Sequence, residues 1–366
     1  MEWPAWPHLG DLRGGQRLHD SSVTSLELSC REVEIQDEMP DTTTLELCAG
    51  GGGQALGLER AGFAHTAAVE IDAAACQTLR TNRPFWDVLQ EDLRALRGSR
   101  FKGVDLIAGG VPCPPFSVAG RQLGPDDPRD LFPAALEVIA DARPRAVMLE
   151  NVPGLARAKF SAYRDSVVAH LRKLGFTLVE WQVLNACNFG VPQLRPRFIL
   201  VALRDKDAER FRWPEITGSP QTVGQALSDL MAARGWRGAS SWIRKANGIA
   251  PTLVGGSRLH GGPDLGPTRA KAAWRELGVD GRGLADAAPS ADDPRGRLPK
   301  ITVRMAARIQ GFPDSWEFSG GKTAAYRQVG NAFPPPVAAA IGGALAIAMG
   351  VKPSRVPARQ YLLRLG

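Results

Sequence analysis

A chain of 366 residues can bury one large core and a smaller companion domain, so we expect two domains. Hydrophobic residues make up 44% and charged residues 23% of the sequence. No apolar run approaches the roughly 20 residues that a membrane span needs, and no apolar signal core follows Met1. These features predict a cytoplasmic protein rather than a membrane or secreted one. The net charge of +7 suits a polyanionic partner such as nucleic acid.

Residues 1–40 match no motif and predict an irregular extension, whereas the chain from Thr43 to Leu203 alternates short β-rich runs with amphipathic stretches. The predicted strands are Thr44–Leu47, Ala67–Val69, Asp87–Gln90, Val104–Ala108, Ala146–Leu149, Leu178–Leu184 and Phe198–Leu203. The predicted helices are Gln54–Ala61, Ala73–Thr81, Asp130–Ala142 and Ser161–Leu174. This alternation predicts a parallel sheet with helices on both faces, a doubly wound Rossmann-like α/β domain.

A glycine-rich turn, Leu45–Gly53, leaves the first predicted strand and enters the first predicted helix. Its glycines allow the backbone to approach a ligand closely. Glu70 and Asp92 end the next two strands, where carboxylates can accept hydrogen bonds from a ribose diol and an adenine amino group. Because the G-x-G-x-x-G phosphate pattern is incomplete, this series fits S-adenosylmethionine, a nucleoside without phosphate, better than a dinucleotide.

The five cysteines form no C-x-x-C pair, which disfavours a zinc site or a disulfide framework, and we expect no metal. Four of them are interpreted as small buried hydrophobic residues: Cys30, Cys48, Cys76 and Cys187. Cys113 differs because Pro112 and Pro114 flank it in a loop directly after the strand Val104–Ala108, at the sheet edge where α/β ligands bind. Cys113 is therefore the predicted nucleophile.

Two further strand ends carry charged side chains. Glu150 follows the strand Ala146–Leu149 and places a carboxylate on the same edge of the sheet. Arg195 and Arg197 precede the last strand at alternating positions, so their side chains point the same way and can hold a phosphate or a base carbonyl. Arginine pairs are also common on plain surfaces, so this pair alone leaves both interpretations open.

After Trp213 the periodicity gives way to a Gly-, Pro- and Arg-rich stretch that predicts a second, loop-rich domain. The segment from Met231 to Arg282 contains nine Lys or Arg and three Asp or Glu, so it alone carries a net charge of +6. An apolar helix is predicted for Pro336–Met349, and a tail with several basic residues and no acid follows it. The positive charge is thus concentrated where the helical pattern is weakest.

Taken in order, these segments resemble the motif series of the DNA cytosine-5 methyltransferase family over roughly residues 43–348. Three further segments agree with the family: Asp127–Phe132, Arg304–Asp314 and Tyr326–Pro336. The resemblance implies a smaller target-recognition domain beside the catalytic one. The implied boundaries are an extension 1–40, a catalytic domain 41–204, a target-recognition domain 205–300, a return segment 301–350 and a basic tail 351–366.

The resemblance also implies a covalent mechanism. Cys113 attacks cytosine C6, Glu150 engages the base at N3 and its exocyclic amine, Arg197 holds the O2 oxygen and Arg195 steadies the site. C5 then takes the methyl group of S-adenosylmethionine, which leaves S-adenosylhomocysteine as the product. Because the target carbon lies inside a stacked duplex, the cytosine is expected to rotate out of the helix at a cost of about a few kcal/mol.

By the same resemblance, Glu70 binds the ribose, Asp92 binds the adenine amine and Asn331 reaches the methionine end. The full set implied to bind the cofactor is Cys48, Ala49, Gly50, Gly51, Gly53, Glu70, Ile71, Asp92, Leu93, Pro112, Leu131, Asn331 and Ala332. The set implied to contact DNA is Ser117, Arg121, Arg129, Thr252 and Arg258. The expected partners are double-stranded DNA and a cognate restriction endonuclease that acts separately on the same site, and we expect a monomer.

Two residues depart from the family pattern. Pro114 stands where a glutamine usually follows the nucleophile, and Cys48 stands where an aromatic residue is common, so loop geometry and stacking against the cofactor are expected to differ. Three alternatives to the main hypothesis remain: a tRNA cytosine-5 methyltransferase, a catalytically silent DNA-binding regulator and a dinucleotide oxidoreductase. Arginines in the recognition region favour duplex DNA, because arginine reads guanine in the major groove.

Overall fold

The fold is built on one seven-stranded sheet in a computed structural model that describes residues 42–112, 130–216, 220–256, 262 and 264–351. The strands are β1 Thr43–Leu47, β2 Ala64–Glu70, β3 Val88–Gln90, β4 Leu106–Gly109, β5 Ala146–Asn151, β6 Leu178–Asn185 and β7 Pro196–Leu203. Their order across the sheet is β3-β2-β1-β4-β5-β7-β6. All seven strands predicted from apolar runs are therefore present, within a few residues of the predicted bounds.

The prediction of a wholly parallel sheet was wrong for one strand. β1 to β5 pair in parallel, but β7 runs antiparallel to both β5 and β6. The cause is the short connection from β6 to β7, which comprises residues 186–195. A parallel return needs a crossover of about a dozen or more residues, usually a helix, and this segment holds only one 3₁₀ turn.

Helices cover both faces of the sheet, which confirms the doubly wound class. On one face, α3 (Phe132–Ala142) and α4 (Ser161–Lys173) pack on side chains such as Leu45 and Leu47 of β1. On the other face, α1 (Gly53–Arg60) packs beside the last helix, α11 (Pro335–Ala348). A further helix, α2 (Ala73–Asn82), connects β2 to β3.

Gly57 of α1 explains how two of these helices come so close. A Cβ atom at this position would lie 2.4 Å from Ala338 Cβ and 2.5 Å from the Pro335 carbonyl oxygen. Only glycine leaves room for the two backbones to approach to this distance. This contact brings α11, near the C-terminus, against α1, the first helix of the sheet domain.

The segment after β7 contains four short helices, joined by long stretches without regular secondary structure. Its helices are α5 Asp205–Arg210, α6 Val223–Ala232, α7 Ala239–Lys245 and α8 Thr268–Glu276. α6 begins with a reciprocal capping box in which Thr222 and Gln225 bond each other's backbone. Buried tryptophans organise the core of this segment: Trp236, Trp242 and Trp274.

Two helices, α9 (Val303–Ile309) and α10 (Lys322–Asn331), precede α11. Their buried side chains share a core with residues of α1 and α2 such as Leu56 and Leu79. In the part of the chain that the structure describes, Lys322–Ala348 is long and apolar enough to cross a membrane by length and composition alone, but 61% of its most apolar window is buried inside the protein. α11 is a core helix, and its bounds lie within one residue of those predicted from the sequence.

Candidate active site

A cavity of about 520 Å³ opens along the carboxyl ends of the parallel strands. All the residues that the family resemblance implies for cofactor binding line this cavity: Cys48, Ala49, Gly50, Gly51, Gly53, Glu70, Ile71, Asp92, Leu93, Pro112, Leu131, Asn331 and Ala332. Glu150 lines the same cavity. The expected cofactor end and the expected catalytic carboxylate thus meet in one space, at the sheet edge where doubly wound folds bind ligands.

The glycine turn after β1 is held by one carboxylate. Glu70 Oε2 accepts a hydrogen bond from the Gly50 N–H at 2.7 Å, and its Oε1 accepts from the N–H groups of Ile71 at 2.9 Å and Asp72 at 2.8 Å. Gly50 adopts a φ of 54°, which a side chain would strain. Glu70 therefore fixes the backbone that forms one wall of the cavity.

Asp92 lines the same cavity, two residues after the end of β3. Its Oδ1 accepts a hydrogen bond from the Arg94 N–H at 3.0 Å, and its carboxylate pairs with the Arg94 guanidinium, also at 3.0 Å. The neighbouring Ile71 side chain is 62% exposed, an unusual position for a large apolar residue. An acid beside an open apolar surface suits a flat heterocycle with an amino group.

Cys48 enters the left-handed region with a φ of 53° at the start of the glycine turn. Burial, reinforced by the negative charge of Glu70, raises the pKa of the Cys48 thiol, so the thiol stays protonated at neutral pH. Burial also raises the pKa of Cys76, to about 11. Cys76 is buried, as the sequence interpretation expected, whereas Cys48 is only partly buried because it lines the cavity; Cys30 lies outside the described residues.

Glu150 and Arg197 form a close ion pair on neighbouring strands, with Glu150 Oε1 2.7 Å from Arg197 Nε. Both are almost completely buried. Burial raises the pKa of Glu150, and the positive charge of Arg197 opposes this shift without cancelling it. The site therefore offers a carboxyl group that holds a proton more readily than usual, beside a guanidinium.

The chain leaves β4 directly beside this pair. Gly109 is in register with Leu149, and a Cβ atom on Gly110 would lie 3.4 Å from Glu150 Oε2. The Asn151 side chain donates a hydrogen bond to the Val111 carbonyl at 3.0 Å and ties the two strand ends together. Cys113 itself lies outside the described residues, one position beyond Pro112.

Arg195 is fully buried, and most of its hydrogen bonds go to backbone carbonyls. Its guanidinium donates to the carbonyls of Leu253 at 2.7 Å, Gly330 at 2.7 Å and Ala332 at 2.9 Å, and to Gln193 Oε1 at 3.3 Å. It thereby joins three distant parts of the chain. Ala332 lines the cavity, and the expectation that Arg195 steadies the site stays a prediction.

Of the residues expected to contact DNA, only Thr252 is among those described; Ser117, Arg121, Arg129 and Arg258 lie outside them. The Thr252 hydroxyl donates a hydrogen bond to the Leu194 carbonyl at 2.5 Å. The adjoining backbone of residue 250 bonds to that of Leu194 at 2.7 Å. Thr252 is therefore anchored next to the Arg195 segment, and its contact with DNA stays a prediction.

The sequence interpretation missed several residues of the cavity wall. They include Glu46, Gln54, Gly256, Arg327, Gln328 and Phe333. For Glu46 a signal was available, because it is a single acid inside the apolar run of β1. Among the described residues, no group of three or more His, Cys, Asp or Glu is arranged to hold a metal ion.

Comparison with known proteins gives consistent matches. The family model for C-5 cytosine-specific DNA methylase matches residues 42–346. The chain is 55% identical over 318 residues to the Type II methyltransferase M.NaeI of Lentzea aerocolonigenes, a match that covers 86% of this chain and 77% of the relative. It is 50% identical over 309 residues to the Type II methyltransferase M.NgoMIV of Neisseria gonorrhoeae, covering 82% of this chain and 96% of the relative.

Two solved structures share the fold. A putative DNA modification methyltransferase encoded within an E. coli prophage matches with a TM-score of 0.59 and 25% identity, covering 84% of this chain and 99% of the other. Spodoptera frugiperda DNMT2 also matches with a TM-score of 0.59, at 19% identity, covering 83% of this chain and 99% of the other. The second likeness concerns the fold alone.

Proposed function

This chain belongs to the C-5 cytosine-specific DNA methylase family, and from that membership we propose how its cavity methylates one cytosine within a specific double-stranded DNA sequence. C-5 methyltransferases of this kind use S-adenosylmethionine. The observation that carries the proposal is the buried Glu150–Arg197 pair in the same cavity as Glu70 and Asp92. The proposal includes no metal ion.

The donor and acceptor groups of the cavity fit S-adenosylmethionine. Glu70 would accept from the ribose diol, Asp92 would accept from the adenine amino group, and Ile71 would cover one face of the ring. When bound, the cofactor supplies an electrophilic methyl group on a sulfonium. Gly51 and Gly53 of the glycine turn line the cavity, and a Cβ atom on Gly53 would lie 2.2 Å from the Phe333 carbonyl oxygen, so the turn packs closely against the C-terminal segment only with glycine there.

The opposite end of the cavity would hold the flipped cytosine. Arg197 donates to the O2 oxygen, and Glu150, whose pKa burial raises, donates its proton to N3 and accepts from the exocyclic amine. Both contacts withdraw electrons from the ring and favour attack of the Cys113 thiolate on C6. A C6–S bond forms, C5 becomes nucleophilic and is methylated, and loss of the C5 proton with β-elimination of the thiolate restores the aromatic base.

The segment 205–300 would read the DNA sequence. Its net positive charge suits the phosphate backbone, with Thr252 and Arg258 as proposed contacts. Ser117, Arg121 and Arg129 would close over the flipped base. The names of the relatives, Type II methyltransferases, support a role in a restriction-modification system, in which this chain, as a cytoplasmic monomer, protects host DNA from an endonuclease that acts separately on the same site.

A transfer assay with tritiated S-adenosylmethionine tests this function. We expect incorporation into duplex plasmid DNA and none into tRNA, because the basic recognition segment suits duplex grooves. Bisulfite sequencing of plasmid from cells that express the chain should show 5-methylcytosine at one recurring sequence. Methylation of tRNA alone, or no methylation of either nucleic acid, would contradict the proposal.

The Glu150→Gln protein is expected to transfer methyl groups about 10²-fold more slowly than the unaltered protein, since a positioned acid typically contributes 10²–10⁴-fold. In the unaltered protein the rate should fall as the pH rises through the raised pKa of Glu150, because the proton for N3 is then lost. The Gln variant should lack this fall. The matched control is Glu137→Gln, an exposed position on α3, which should keep the rate and the pH profile. An unchanged profile in Glu150→Gln would remove Glu150 from the proton transfer.

A further inference from the structure

One arginine in the cavity wall has no acidic partner among the described residues. The lining that the structure describes includes two arginines, Arg94 and Arg327, and six acidic residues: Glu46, Glu70, Asp72, Glu91, Asp92 and Glu150. Arg94 pairs with Asp92 at 3.0 Å. Arg327 forms no ion pair within the described part of the chain, and none of its neighbours three or four positions away on α10 is acidic. Its positive charge is therefore available to a ligand.

Arg327 lies where residues 252–256, a stretch that begins with a proposed DNA contact, meet the cavity wall. Its side chain is partly exposed and lines the cavity, as does that of Asn331, one turn further along α10. The Asn331 side chain donates a hydrogen bond to the Gly256 carbonyl at 3.1 Å, and Gly256 lines the cavity as well. A Cβ atom on Gly255 would lie 2.5 Å from the Arg327 carbonyl oxygen. The free charge thus adjoins both the cavity and the proposed recognition segment.

The proposed function brings two kinds of anion to this place: the carboxylate of S-adenosylmethionine and the DNA phosphates that flank the flipped cytosine. The carboxylate shares its amino-acid head with an ammonium group, so that head has no net charge. Each phosphodiester carries a full negative charge, and it approaches a wall with more acidic residues than arginines. An arginine fork also fits two phosphate oxygens at once. A phosphate therefore gains more from Arg327 than the cofactor carboxylate does.

We propose that Arg327 binds a DNA phosphate next to the flipped cytosine, an inference that rests on the proposed function. The base rotates out of the duplex about its own backbone, so the phosphates on either side of it are carried to the mouth of the cavity. A guanidinium at this partly exposed point of the wall holds the backbone while the base is inside. Because every nucleotide has the same phosphate, the contact positions the DNA and carries no sequence information.

Gel-shift titration of duplex DNA at several salt concentrations, with S-adenosylhomocysteine present, tests this contact. Arg327→Met should bind DNA about 10-fold more weakly, which is the size expected for one charge-assisted hydrogen bond. The slope of the logarithm of affinity against that of salt should become shallower by about 0.9, the value for one phosphate. The loss should be equal for duplexes with and without the recognised sequence. Arg327→Lys, which keeps the charge but not the fork, should lose less.

Duplexes with one neutral methylphosphonate locate the phosphate. The methylphosphonate is placed in turn on the 5′ and the 3′ side of the cytosine that bisulfite sequencing identifies. At one of the two positions it should weaken binding by the unaltered protein about 10-fold and cause no further loss in Arg327→Met. The matched control is Lys322→Met, on the same helix, since Lys322 pairs with Asp286 at 2.8 Å and does not line the cavity. This control should keep the DNA affinity and the salt slope.

Calorimetry and thermal unfolding separate the contact from other roles of Arg327. Arg327→Met should bind S-adenosylhomocysteine normally and unfold at the temperature of the unaltered protein, because its side chain has no described partner to lose. Weaker S-adenosylhomocysteine binding would assign Arg327 to the cofactor carboxylate and overturn the inference, as would normal DNA affinity or additive losses at both phosphates. If Arg327→Met fails to fold, Arg327→Gln replaces it with the same expectations. An unaltered protein that neither binds nor methylates duplex DNA contradicts the proposed function itself.

Discussion

The Cys113→Ser protein should lose methyl transfer by at least about 10³-fold while it binds duplex DNA and S-adenosylhomocysteine normally. Removal of a catalytic nucleophile has effects of this size or larger. A serine hydroxyl stays protonated at neutral pH and attacks C6 poorly, whereas we expect the positive charge of Arg197 to favour the Cys113 thiolate. Transfer of tritiated methyl groups measures the rate, and gel-shift titration and calorimetry measure the two affinities.

Duplex DNA with 5-fluorocytosine at the methylated position tests the covalent step itself. After attack and methylation, C5 carries fluorine in place of the proton that must leave, so the C6–S bond should persist. We expect an adduct that survives a denaturing gel with the unaltered protein and none with Cys113→Ser. The matched control is Cys187→Ser, which changes a buried thiol and should still form the adduct. Full activity of Cys113→Ser would end the covalent mechanism.

The sheet was largely predictable from the sequence because each strand is a short apolar run that stands out by itself. Apolar runs reveal where strands lie but not their direction, so the antiparallel β7 was missed. The informative feature was the length of the segment 186–195, which is too short for a crossover helix. Strand direction therefore had to be argued from the connection and not from the strand.

The helices α6 to α8 were missed because glycine and proline content was given more weight than local signals. Thr222 and Gln225 form a capping box, and the apolar residues of α6 that follow recur at helical spacing. The tryptophans that hold these helices together, Trp242 among them, lie in a shared core, and the sequence interpretation did not use them as a signal. A segment rich in turn residues can still fold as helices when it buries large aromatic side chains.

The cavity residues at strand ends could be predicted from the sequence. The cavity residues whose position depends on tertiary contacts could not. Glu70 is the last residue of β2 and Asp92 lies two residues after β3, so the topology alone brings them to one edge. Glu46 has the small apolar residues Ala68 and Ala108 as its neighbours in the sheet, and these belong to other strands, so the sequence around Glu46 does not reveal its surroundings. The hydrogen-bond partners of Arg195 lie up to 137 residues away along the sequence, so no local sequence pattern predicts them.

Replacement of Arg195 by methionine should lower the free energy of unfolding by about 3–5 kcal/mol, the range for removing one partner of a buried charged network. Methionine fills similar space but leaves the carbonyls of Leu253, Gly330 and Ala332 without their donor. Because Ala332 and Asn331 line the cavity, S-adenosylhomocysteine binding should weaken together with stability. Urea denaturation measures the first effect and calorimetry measures the second.

Arg204→Met provides the matched control for this dual effect. Arg204 also donates to carbonyls, those of Pro144 at 2.9 Å and Leu174 at 2.5 Å, but it follows β7 and does not line the cavity. Its loss should reduce stability and leave S-adenosylhomocysteine affinity unchanged. Arg195→Lys, which keeps the charge but cannot reach all four acceptors, should fall between Arg195→Met and the unaltered protein in both measurements. If the folded Arg195→Met protein binds S-adenosylhomocysteine normally, Arg195 stabilises the fold without positioning the cavity residues Asn331 and Ala332. The return segment 301–350 must then be held in place by α1, through the close contact at Gly53.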